Sequence, residues 1–76
     1  MIASHTIQDI SFEKDMMLLT IDGRSITVAL DKVSAKLKNA DEIQRQLFKI
    51  SPSGYGIHWP LLDEDLAVDY IIKIAG

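Results

Sequence analysis

The chain has 76 residues, no cysteine and a formal charge of −3 at neutral pH. That length accommodates one domain, residues 1–76, with a thin core that buries roughly 60–65% of the unfolded chain's surface and supports about 3–5 kcal/mol of stability. Absent cysteine excludes disulfides and thiolate metal sites, and acidity disfavours nonspecific attraction to nucleic acid or an anionic membrane surface.

The 47% hydrophobic and 25% charged content is that of a globular fold rather than a disordered chain. The start, Met1-Ile2-Ala3-Ser4-His5-Thr6, carries neither the basic nor the apolar region of a secretory signal, and no apolar run approaches a membrane span. The expected location is cytoplasmic.

The first third reads as β-structure. Residues 6–12 place Ile7, Ile10 and Phe12 among polar residues in imperfect alternation, a pattern that suits a strand with a bulge. Residues 16–21 form a denser apolar run. In residues 24–30, Ile26, Val28 and Leu30 alternate with Ser25, Thr27 and Ala29. Asp22-Gly23 between these runs is a strong hairpin signal, because glycine supplies the positive φ of a primed turn. A second turn at Lys14-Asp15 completes a three-strand meander.

The middle predicts helix. Asp31 is placed to cap a first turn, Val33, Leu37 and Ala40 recur at helical spacing, and Asn39 offers a break. Asp41 then caps a short helix to Gln46, with Ile43 and Leu47 on one side. Lys32, Lys36, Lys38 and Arg45 read as a solvated face.

Residues 48–51 predict a short strand. Ser51-Pro52-Ser53-Gly54 has the proline and glycine positions of a type I turn, and residues 55–59 return antiparallel as a second hairpin. Pro60, lacking an N–H, stops the ladder. Asp63-Glu64-Asp65 then precedes residues 66–75, where Leu66, Val68, Ile71, Ile72 and Ala75 suit a closing helix. The acids are expected at its positive end. The fold class expected is therefore α+β: a small antiparallel sheet, built from the meander and the C-terminal hairpin, packed with two to three short helices.

The residues from Gly54 to Asp65 are the densest chemical cluster. His58 with Asp63, Glu64 and Asp65 offers nitrogen and oxygen ligands, but the only other histidine is His5 and no spacing matches a zinc or calcium motif. His58 beside a carboxylate can act as a general base, yet no serine occupies a nucleophile elbow. Gly54-x-Gly56 is too short for a phosphate-binding loop and no helix starts behind it. Structurally, the glycines serve turn geometry, and Trp59 reads as a core anchor beside Tyr55. We therefore expect no catalytic site, no metal and no cofactor. The candidate partner surface is Tyr55, His58, Trp59, Asp63, Glu64 and Asp65, three adjacent acids being a docking point for a basic partner.

The run Ile50-Ser51-Pro52-Ser53-Gly54-Tyr55-Gly56-Ile57-His58-Trp59-Pro60-Leu61-Leu62-Asp63-Glu64-Asp65-Leu66 closely resembles the signature of a bacterial family of small proteins, domain of unknown function 2442. Asp22-Gly23-Arg24, and Leu37 to Ala40 before Gln44-Arg45, fall where that family's hairpin and helix residues fall, and the resemblance runs from about Ile7 to Ile72. It implies an α+β fold and supplies no catalytic residues. Some members carry a helix-turn-helix DNA-binding domain afterwards, and none follows Gly76 here, which leaves direct nucleic-acid binding disfavoured. Many standalone members are encoded beside a second small protein, in pairs resembling toxin–antitoxin modules.

Two positions depart from the pattern. Ala67 stands where serine is frequent, removing a hydroxyl cap from the last helix and shifting that role to the preceding acids. Ala35-Lys36 stands where many members have proline-arginine. The expected function is a noncatalytic protein-interaction module, the antitoxin-like or regulatory member of a two-protein system, whose partner is encoded by the adjacent gene. The alternative is a metal-dependent or hydrolytic enzyme using His58 with Asp63 or Asp65. A thin core also gains from pairing, so a homodimer is expected beside the monomer.

Overall fold

A computed structural model describes residues 4–76. It shows an α+β arrangement of two three-stranded antiparallel sheets and four short helices. The first sheet is the meander β1 (Ile7–Glu13), β2 (Met16–Ile21) and β3 (Arg24–Ala29), with β2 central. The β1–β2 register slips between Ile7 and Asp9, placing a bulge where alternation in the sequence is broken. Asp22 (φ 52°) and Gly23 (φ 79°) both take the left-handed conformation of a primed turn. Along β2, Met17, Leu19 and Ile21 alternate into the core.

Leu30 leaves the ladder instead of ending it. It begins α1 (Leu30–Val33), tethered by its N–H to the Asp15 carbonyl at 2.8 Å. The cap expected at Asp31 does not form. The N-cap position is Ala29, without a side-chain bond, and Asp31 lies inside the first turn. The helix breaks at Ser34, which takes an extended backbone and caps α2 (Ala35–Lys38) with its side chain, the Oγ accepting the Leu37 N–H at 3.1 Å. Asp41 caps α3 (Glu42–Gln46) as expected, in a reciprocal box with Gln44.

Arg45 is not a solvated residue. Its guanidinium donates to the carbonyls of Leu37 (3.0 Å), Lys38 (3.0 Å) and Lys14 (2.7 Å), and stands 5.7 Å from the centre of the Phe12 ring. One side chain thus fastens the end of α2 to the β1–β2 turn.

The second sheet is β4 (Lys49–Ile50), β5 (Gly56–Trp59) and β6 (Glu64–Ala67), with β5 central, followed by α4 (Val68–Ala75). The closing helix therefore begins at Val68, and the acidic run forms a turn and a third strand. Asp63, Glu64 and Asp65 do not cap α4; its N-cap is Ala67, without a side-chain bond, and only Asp69 lies in its first turn. Pairing residues 64–67 with β5 satisfies backbone groups that a longer helix would have left open on β5.

One apolar cluster draws on both sheets and on α1, α2 and α4, with Trp59, Met17, Leu30, Leu37, Val68 and Ile71 wholly buried. α4 packs against β3, β6 and α1. The Trp59 indole N–H donates to the Arg45 carbonyl at 3.1 Å, so its one polar atom is paired inside the core. Gly54 (φ 71°) lies against the His5 backbone so tightly that a Cβ there would fall 1.8 Å from the His5 carbonyl oxygen.

Two substitutions test this packing. Trp59→Ala is expected to cost about 3–5 kcal/mol by urea denaturation, and a loss below about 1 kcal/mol would mean the ring is not an anchor. Gly54→Ala, combining an imposed left-handed φ with a backbone clash, should cost on the order of 2–3 kcal/mol in the same assay.

Candidate functional site

Alternation along β5 and β6 divides their residues between two faces. Ile57, Trp59 and Leu66 point into the core, which leaves Gly56, His58, Asp65 and Ala67 on the outer face. Register sets Lys49 opposite His58 and His58 opposite Asp65, while Gly56 lies opposite Ala67. The two small residues leave a low floor beside a taller polar row. Together with Ile50, Pro52 and Tyr55 they shape an open groove of about 520 Å³, within the size range of ligand-binding clefts.

The turn that walls this groove is held by Ser51. Its Oγ accepts the N–H groups of Tyr55 (3.0 Å) and Gly56 (3.1 Å), and the Gly54 N–H closes on the Ser51 carbonyl at 2.8 Å. The Tyr55 carbonyl in turn accepts the Val68 N–H at 2.8 Å, tying the turn to the start of α4. Tyr55 itself is half exposed, on a backbone secured from both sides.

The six residues expected at a partner surface separate in space. Tyr55, His58 and Asp65 line the groove. His58 Nδ1 and Asp65 Oδ1 lie 2.8 Å apart, with side chains 41% and 76% exposed, so the pair orients the ring more than it stabilises the fold. Trp59 is removed from the expected surface, because its side chain is wholly buried. Glu64 turns to the other side of β6, where it accepts the Ser34 hydroxyl. Asp63 sits at the turn with φ 49°, and its carbonyl accepts the Lys36 ammonium at 3.0 Å. Three consecutive acids thus face three directions and make no common patch.

Among the described residues no group of three or more His, Asp or Glu side chains is placed to hold a metal ion. Lys49 and Ile50 line the groove although neither was singled out in the sequence; their place beside His58 and Ile57 follows only from strand pairing.

A second titratable cluster lies elsewhere. The His5 ring, 13% exposed, places Nδ1 2.7 Å from Asp22 Oδ2 and Nε2 2.7 Å from Asp69 Oδ1. The Asp22 hydrogen bond, followed by that of Asp69, raises the His5 pKa above its ordinary 6.5. The same His5 bond, followed by the Thr6 N–H at 2.8 Å, lowers that of Asp22 below 3.8. Nothing in the local sequence signals this grouping, since the partners lie 17 and 64 residues away.

Fold and groove define a small α+β protein with an open groove on the outer face of its second sheet. The chain matches, over residues 7–75, the model of the family described as protein of unknown function DUF2442. It belongs to that family. No curated protein and no solved structure matches it.

The two shifts set a stability window. A raised His5 pKa contributes stability that is complete below 6.5 and is lost as pH rises through the raised value. A lowered Asp22 pKa contributes stability present above 3.8 and lost as pH falls through the lowered value. Thermal unfolding across pH should therefore show both flanks, and Asp22→Asn should flatten each of them relative to the parent chain.

Proposed function

We propose that this protein is a noncatalytic interaction module, the regulatory or antitoxin-like member of a bacterial two-protein system acting in the cytoplasm. The outer face of the second sheet is its docking surface. The observation that supports the reading is the groove: a half-exposed tyrosine and an exposed isoleucine beside a charged row, on strands whose other face is locked into the core. An aromatic anchor on a preorganised backbone is what an interface hot spot requires, because little conformational entropy is lost on binding. Lys49 at one end of the row and Asp65 at the other supply opposite charges for fixing a partner's register.

The partner is the small protein encoded by the neighbouring gene, a proposal that rests on the habit of the family this chain resembles. The test is titration calorimetry between the two purified proteins. Tyr55→Ala should weaken binding roughly tenfold or more, a loss of about 1.4 kcal/mol, with the unfolding temperature unchanged. Equal affinity for the variant and the parent chain would place the interface elsewhere.

The His58–Asp65 pair supports a second, hydrolytic reading, in which the carboxylate orients the imidazole as general base. Ser51, the serine that lines the groove, already accepts two amide N–H groups, an arrangement that secures a turn and does not activate a nucleophile. Asp63 lies outside the pair. Esterase and phosphodiesterase activity measured on the parent chain and on His58→Ala separates the readings. The docking proposal expects no turnover from either protein, and hydrolysis abolished in a folded His58→Ala would replace it.

A further inference from the structure

His5 is where four parts of the molecule meet. Its ring bridges Asp22 in the β2–β3 turn and Asp69 in the first turn of α4. Its backbone N–H donates to the Ser53 carbonyl at 3.1 Å in the turn that walls the groove, and its carbonyl lies against Gly54. The strand leading from it opens β1.

The geometry prescribes a charge state. Both ring nitrogens stand 2.7 Å from carboxylate oxygens, and a carboxylate can only accept, so both nitrogens must carry hydrogen. Only the imidazolium does. A neutral ring keeps one N–H, and its other nitrogen would set a lone pair against an oxygen lone pair.

One contact must then give way, and the two are not equivalent. Asp22 is held independently by the Thr6 N–H on its other oxygen, and Arg24 adds a favourable charge beside it. Asp69 is 68% exposed and makes no second hydrogen bond among the described residues. The charged groups that face His5 are thus Asp22 from the β2–β3 turn, which has Arg24 of β3 beside it, and Asp69 from α4. The groove-wall turn contributes Ser53 and Gly54, which carry no titratable side chain.

We propose that His5 is a protonation-set latch, which as an imidazolium clasps the β2–β3 turn to α4 and anchors the Ser51–Tyr55 turn, and on losing one proton lets go of Asp69. Release leaves the Ser51–Tyr55 turn tied to α4, among the described residues, by the Tyr55–Val68 backbone bond alone, so the groove wall has two ties to α4 when the latch is closed and one when it is open. The inference stands apart from the docking proposal, because it concerns the free protein and needs no partner.

The test is a pH titration of the free protein by NMR, following the two histidine rings and the backbone amides. The His5 ring should titrate above 6.5 and show two hydrogen-bonded N–H protons on the acid side. The amides of Gly54 and Asp69 should shift with the same midpoint. Asp69→Asn should move that midpoint down, and His5→Gln should abolish the Gly54 response. A His5 ring titrating at or below 6.5 would overturn the proposal. So would Gly54 shifts that persist in His5→Gln, or a midpoint that Asp69→Asn leaves in place. Should His5→Gln fail to fold, the exposed Asp69→Asn substitution decides the matter alone.

Discussion

Burial of the Trp59 ring is the constraint from which the architecture of the second half follows. An indole can occupy the interior only if its N–H finds an acceptor there, and the Arg45 carbonyl provides one. That bond places α3 over the end of β5 and brings the Arg45 side chain to the carbonyls that end α2 and to the β1–β2 turn. A single residue therefore satisfies the tryptophan with its backbone and joins two distant turns with its guanidinium. Its position just after a capped helix start is what makes both contacts available at once.

The groove is a consequence of the same burial. Because side chains alternate on a strand, committing Trp59 and Ile57 to the core commits His58 and Gly56 to the outside. Pairing with β4 and β6 then adds Lys49, Asp65 and Ala67 at matching positions. The groove needs no dedicated loop. It is the unburied side of a sheet whose buried side holds the molecule together, and its wall is a serine-locked turn closed by a left-handed glycine.

The acidic run shows how neighbours in sequence can have separate tasks. Asp63 takes the left-handed corner of the turn, Glu64 meets the hydroxyl of Ser34 beneath β6, and Asp65 orients His58 above it. A strand period of two residues separates adjacent acids onto opposite faces, whereas the first turn of a helix would have collected them around one end. Their division between two sides of the sheet makes Glu64 a structural residue and leaves only Asp65 in the groove.

The N-terminal meander, its bulge and the Asp22-Gly23 turn were legible in the sequence because each rests on local chemistry, a two-residue alternation or a positive φ. The same holds for the Asp41 cap and the arrest of β5 at Pro60. The start of the last helix was not legible. Leu66, Val68, Ile71 and Ile72 fit a helical period, and only the open edge of β5 draws residues 64–67 into a strand. Arg45 as a clamp and His5 as a joint depend on partners far along the chain; the Arg45 side chain reads as solvated until the fold supplies carbonyls, and nothing local to His5 announces its two carboxylates. What the sequence by itself determined was therefore the α+β class, the turns and the identity of the buried anchor. Which faces the charged residues occupy was decided only by tertiary structure, because that depends on strand pairing and on contacts between elements that no local pattern encodes.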